Sequence, residues 1–166
     1  MSKKQKATDT DFHFGIGTII PSTQEAYHDD FEATVRKAEK TGLVQFKDTL
    51  GRDLDARLKG NEQFPSNGEI FVFIVQYFTS KNEYSRRDID NIAKTILDVL
   101  KGKFYKDDSQ VKTLLIGKKM EWRVSQNFGY VAVQELRPER DVDALKISGV
   151  EKSVTLFHEL KSKGLL

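Results

Sequence analysis

Between residues 69 and 79 the chain reads Glu-Ile-Phe-Val-Phe-Ile-Val-Gln-Tyr-Phe-Thr. A run of β-branched and aromatic residues without apolar-polar alternation is the pattern of a strand covered on both faces, so this segment predicts the central strand of a sheet. Everything else has to pack around it. The run is too short for a bilayer: its longest unbroken apolar stretch, Ile70 through Val75, falls well below the roughly 20 residues of a spanning helix. With 166 residues the chain has the length of one domain. It has no cysteine, which excludes a disulfide scaffold, a thiol nucleophile and every cysteine-bearing zinc site. Met1-Ser2-Lys3-Lys4-Gln5-Lys6 leads into no apolar signal region. The expectation is a soluble, cytoplasmic protein without membrane partners.

Upstream of the run, Phe12, Phe14, Ile16, Thr18 and Ile20 fall at every second position and predict a strand with one buried face, ended by Pro21. Ser22 and Glu25 have the spacing of a capping box. Tyr27, Phe31, Val35 and Ala38 then carry a helix of about 16 residues to Gly42. A short strand is expected within residues 43–50. Residues 51–68, with Gly51, Gly60, Pro65 and Gly68 among charges, read as loop. Downstream, residues 80–87 read as a polar, basic loop. Ile89, Ile92, Ala93, Ile96, Leu97, Val99 and Leu100 define an amphipathic helix, with Asp88 as its N-cap and Gly102 at its stop. Two more strands are expected at 110–116 and 128–136, joined by a connection that contains Trp122 and Arg123.

The expected organisation is a polar, flexible N-terminal segment over residues 1–10, a compact domain over 11–136 and a C-terminal extension over 137–166. In that extension Val150, Val154, Phe157 and Leu160 make an apolar stripe behind a second capping-box pair, Ser148 and Glu151. His13, His28 and His158 show no metal-ligand spacing.

The chemistry concentrates in Arg86-Arg87-Asp88-Ile89-Asp90-Asn91-Ile92-Ala93-Lys94 and Tyr105-Lys106-Asp107-Asp108-Ser109-Gln110-Val111. Helical spacing sets Asp90, Asn91, Lys94 and Asp98 opposite the apolar stripe. Carboxylates gathered at one point repel by roughly 4 kcal/mol per pair at about 4 Å and an effective dielectric of 20. A hard divalent cation would offset that, and magnesium, which takes oxygen ligands and keeps waters for a phosphate, suits the donors. Metal-assisted phosphodiester hydrolysis is the matching chemistry, with a lysine to orient water or stabilise charge. Whole-chain charge, 27 basic against 25 acidic residues, hides a local excess: residues 81–123 hold 11 Lys or Arg and 7 Asp or Glu. A polyanion site around a cation has this form.

These two segments, with the hydrophobic strand before them and the two strands after, resemble the RusA-type Holliday junction resolvases. The resemblance runs over residues 68–136, with Ile20-Pro21-Ser22 as a further match. It implies an α+β fold, a small mixed sheet packed against helices, in a homodimer that binds four-way junction DNA and cuts it by paired, Mg2+-dependent nicks, with Mn2+ as a substitute. Carried over position by position, Asp88, Asp90 and Asp108 would be the catalytic, metal-binding carboxylates and Lys94 the essential lysine. Arg86, Arg87, Lys103, Lys106, Lys118 and Lys119 are the candidate phosphate contacts. The alternative is a protein that binds branched or single-stranded DNA without cutting it.

Overall fold

A computed structural model describes residues 11–23, 33–137 and 150–165. Segment 1–10, Glu25, Tyr27, His28, Phe31, Pro138 and Ser148 lie outside the described residues. Four strands form one mixed sheet: β1 (Phe12–Ile16), β2 (Ile70–Phe78), β3 (Val111–Met120) and β4 (Phe128–Glu135), in the order β1-β4-β2-β3. The long apolar run is indeed interior. β2 pairs parallel with β3 and antiparallel with β4, and β1 pairs antiparallel with β4. The helices are α1 (Ala33–Leu58), α2 (Lys81–Arg86), α3 (Ile89–Leu100) and α4 (Val150–Ser162).

The two faces of the sheet are covered unequally, which qualifies the expectation for β2. Ile70, Val72, Ile74 and Phe78 are buried on one face; on the other Phe71 is buried beside Ala132 and Gln134, while Phe73, Val75 and Tyr77 are half-buried. On that second face Phe73 packs edge-on against Tyr130, and Tyr130 stacks with His13. Neighbouring aromatics cover one another there, so the sequence pattern looked like two covered faces. On the first face, Leu50 and Leu54 of α1 and Ile92, Ile96 and Leu100 of α3 join Phe14, Ile16, Val131 and Val133 in one core. Burying each such aliphatic side chain contributes about 1.5–3 kcal/mol.

Residues 43–58 are helical, neither a strand nor a loop, and the first helix runs straight through Gly42 and Gly51. A helical glycine costs only about 1 kcal/mol. The stripe Phe46, Leu50, Leu54 and Leu58, four residues apart, repays this by packing on the core. Lys47 pairs with Asp98 at 2.8 Å and Lys103 with Asp55 at 2.6 Å, bracing α1 against α3 and the segment that follows it. The basic segment 80–87 likewise contains a short helix, α2, held where Tyr84 meets Phe78 edge-on.

β1 ends at Ile16, earlier than its alternation suggested, because a buried polar side chain captures the next residues. Gln76, fully buried in β2, accepts from the Ile20 N–H at 2.8 Å and donates to the Thr18 carbonyl at 3.4 Å. Thr95 of α3 donates to the Pro21 carbonyl at 2.7 Å. Residues 18–21 are thereby pinned over the sheet and α3. In α4, Val154, Leu156 and Phe157 are exposed.

Candidate active site

α3 lies antiparallel to β2 and β3, because the chain leaves the end of β2, passes through α2 and returns along the helix. Its buried face carries Ile92, Ile96, Val99 and Leu100, and also Asn91, which leaves the polar face expected for it. Asn91 accepts from the Thr23 hydroxyl at 3.3 Å and holds the pinned segment. Asp90, Lys94 and Asp98 remain on the exposed face.

Asp88 occupies the N-cap position of α3 with extended backbone, yet its carboxylate makes no capping hydrogen bond. Among the described residues neither Asp88 nor Asp90 engages a side-chain partner. Two carboxylates therefore sit at the positive end of a helix dipole with their oxygens available. Lys94, one turn beyond Asp90, has no ion-pair partner among the described residues either.

The other acid pair is built differently. Asp107 caps the single 3-10 turn Asp108–Gln110 in a reciprocal capping box. Gln110 is its hub: the side-chain oxygen accepts from the Lys106 and Asp107 N–H groups at 2.7 and 3.0 Å, and the amide donates to the Ser66 and Gly68 carbonyls at 2.8 and 2.9 Å. Hydrogen bonds from Ser109 hold the Asp107 carboxyl below the usual carboxylate range. Phe104 and Tyr105 are fully buried beneath this turn, and the Tyr105 hydroxyl donates to the Leu97 carbonyl at 2.8 Å. Burial raises the Tyr105 hydroxyl pKa, with the Asp108 and Asp98 charges adding to it. Asp108 points outward and pairs with Lys101 at 2.9 Å, a bond that raises the Lys101 pKa.

Asp90, Lys94, Asp98 and Asp108 all face one open groove of about 550 Å³ between α3 and β3, floored by Ala93, Leu97, Val111, Leu114 and Ile116. They do not share one point in it. The ammonium of Lys118, near the end of β3, donates to the carbonyls of Tyr84 and Arg87 at 2.8 and 2.7 Å, so Asp88 is tied to the far end of that strand. Asp108 stands just before the strand begins. The seven steps from Val111 to Lys118 span about 23 Å at roughly 3.3 Å each, and the 12 residues of α3 span about 18 Å. Asp88 and Asp108 thus lie at opposite ends of α3. Among the described residues no three His, Cys, Asp or Glu side chains come together as a metal cluster. The donor set itself, aspartate oxygen without histidine or thiol, fits a hard divalent cation.

The model of the family described as Endodeoxyribonuclease RusA matches residues 3–126.

The chain belongs to the RusA endodeoxyribonuclease family.

It is therefore a nuclease. RusA nucleases act on junction DNA and depend on divalent metal. The match takes in the pinned segment and α1, which the sequence motifs barely reached. No curated protein matches the chain. Among the described residues no helix is long and apolar enough to cross a membrane.

The candidate phosphate contacts divide into two groups. Lys118 is spent on its two carbonyl bonds and on the face of Tyr84, 4.7 Å away. Arg87, half-buried, pairs with Glu83 at 3.0 Å, and burial lowers its pKa. Lys103 pairs with Asp55, and Lys106 donates to Asn67 at 2.6 Å. Arg86 and Lys119 are exposed, the Lys119 ammonium lying 3.7 Å from the Glu121 carboxylate. Motif reading missed Gln76, Thr95 and Gln110 as organisers of the site. A polar residue inside an apolar strand, Gln76, was the available signal.

Proposed function

We propose that this chain is a homodimeric, Mg2+-dependent resolvase that cuts four-way DNA junctions by paired nicks in recombination and repair, with Mn2+ able to replace Mg2+. The observation that carries the reading is the pair of unengaged carboxylates, Asp88 and Asp90, at the start of α3 in a RusA-family chain. Asp88, Asp90 and Asp108, the last from a second copy of the chain, would hold the cation, with Lys94 assisting. When bound, a divalent ion would supply polarisation of the phosphoryl oxygen and a more acidic attacking water. Asp90 orients that water from the first turn of α3. The Lys94 ammonium, on the same face one turn away, stabilises charge that develops on the phosphate. Exposed Arg86 and Lys119 at this end of the sheet hold the strand by its backbone.

The separation along α3 supports two chains per site. Oxygens bound to one Mg2+ at about 2.0–2.1 Å lie at most about 4.2 Å apart. Asp88 and Asp108 of one chain are several times further apart than that. In a two-fold dimer the N-terminal end of one α3 meets the Asp108 turn of the partner, and the symmetry builds two equivalent sites for the two opposed strands of a junction.

Nicking of a synthetic four-way junction with and without Mg2+ tests the activity; no nicks with any divalent metal would leave the non-cleaving reading in its place. Mixing Asp90→Asn and Asp108→Asn chains tests the shared site. Each homodimer is expected to be inactive and to bind Mn2+ poorly. The exchanged heterodimer regains one intact site, one strong Mn2+ site and single nicks. A heterodimer as inactive as its parents assigns all three carboxylates to one chain.

A further inference from the structure

The indole of Trp122 is 89% exposed, the most exposed of the large apolar side chains among the described residues. An aromatic ring of this size ordinarily buries most of its 150–250 Å². It is the single tryptophan of the chain. It does not hang on a slack loop. The preceding residue, Glu121, has a buried side chain, and its N–H donates to the Phe78 carbonyl at the end of β2 at 3.0 Å. The following residue, Arg123, grips the Glu121 carboxylate with two bonds of 2.8 and 2.7 Å and donates its own N–H at 3.1 Å. That grip holds the Glu121 carboxyl down to about 2. A two-pronged arginine-carboxylate bond fixes orientation as well as distance, so the turn presents its indole outward in a defined place.

That place is the Asp88 end of the sheet. Lys118, four residues before Trp122, is the side chain bonded to the Tyr84 and Arg87 carbonyls. The two segments that meet there, residues 81–87 and 118–123, carry six basic and two acidic side chains, and Lys81 and Arg86 make no ion pair among the described residues. Exposed Met120 adds an apolar neighbour. An aromatic face amid positive charge is what a nucleobase attached to a phosphate backbone matches: the cations take the phosphates and the ring takes the base.

We infer that Trp122 is a DNA contact that stacks on a nucleobase exposed at the branch point of a four-way junction, close to the strand held by Asp88 and Asp90. The inference rests on the nuclease reading and adds a means of selecting branched over continuous duplex DNA. In an unbroken duplex every base is already stacked, and the indole has to displace a neighbour at a cost of a few kcal/mol. At a branch point a base face is available without that cost.

The test uses the full chain carrying Asp90→Asn, so that binding is followed without cleavage. Trp122 fluorescence is expected to be quenched by a four-way junction and little affected by a duplex of the same sequence. Trp122→Ala should weaken junction binding about five- to hundredfold, should weaken duplex binding much less, and should leave the unfolding midpoint unchanged. Trp122→Phe should recover part of the loss. Fluorescence unmoved at junction saturation, as tracked by gel shift, or Trp122→Ala binding junctions like its parent, overturns the inference. So does a Trp122→Ala chain that binds normally but changes its sedimentation, which would assign the indole to a protein contact. A wild-type chain that neither binds nor nicks junctions removes the nuclease reading itself, and the inference with it.

Discussion

At the N-terminal end of α3, Asp88 and Asp90 stand at a helix start without side-chain partners among the described residues, whereas at its C-terminal end Asp107 and Asp108 are fastened into a turn. Asp107 caps that turn, Gln110 binds it to the start of β2, and Lys101 covers Asp108. The first end keeps its acidic oxygens available for chemistry. The second spends most of its polar groups on position. Acids at the two ends resemble each other in sequence, yet removing one should impair chemistry and removing the supports of the other should impair geometry.

The largest expected effect is on the open end. Asp90→Asn should reduce junction nicking by at least about a hundredfold, the order seen when one transition-state stabiliser is removed, while junction binding by gel shift holds. Removing a repelling carboxylate does not weaken phosphate contacts. If binding and folding are lost together, Asp90 is a structural residue and the contrast between the ends fails.

The next effect is at the fastened end. Gln110→Ala strips two backbone donors and two backbone acceptors of their partner, and should cost about 1–3 kcal/mol in denaturant unfolding. It should also lower nicking by misplacing Asp108. An unchanged unfolding midpoint would show that the capping residue Asp107 holds the turn without Gln110.

A smaller effect concerns the turn beside the open end. The folded Glu121 carboxyl titrates at about 2, against an ordinary 4.5, so its stabilisation is complete above the ordinary value and is lost as pH falls from about 4.5 towards 2. Trp122 fluorescence should report that loosening, and Glu121→Gln should abolish its pH dependence. Persistence of the same acid transition in Glu121→Gln would place its cause elsewhere.

The smallest effect is the Lys101–Asp108 pair. Such an exposed pair adds little to folding, so Lys101→Met should leave the unfolding midpoint in place. By uncovering Asp108 it should tighten Mn2+ binding about two- to fivefold in a calorimetric titration, the range of an exposed ion pair. Lys103→Met, which removes equal charge beside Asp55, should not. Equal tightening by both would mean that general charge and not the contact with Asp108 is responsible.

Much of the fold was legible because apolar periodicity reports burial directly. β2, α3 and β4 stand where their patterns put them, and β3 starts as expected but runs on to Met120, four residues past the end its pattern marked. The second half of α1 was not legible, since Gly42 and Gly51 and many charges mask a stripe with one apolar residue per turn. Packing on α3 and the sheet makes that stripe sufficient. The second face of β2, buried at Phe71 and half-buried beyond it, was only partly legible for a related reason: residue type records apolarity and is silent about whether a helix or a neighbouring aromatic provides the cover.

For the candidate site, the sequence by itself supplied the residue types. Asp88, Asp90, Lys94 and Asp108 are hard oxygen donors and a cation in a basic surrounding, and no folding detail is needed to see that they suit a divalent metal and a phosphate. Only the tertiary structure decided the distances. The parallel pairing of β2 with β3 requires the chain to cross back along α3 before β3 begins, so the Asp108 turn is delivered to the opposite end of the helix from Asp88. Which end of a helix meets which end of a strand is set by the direction of strand pairing, a long-range property that no local spacing encodes.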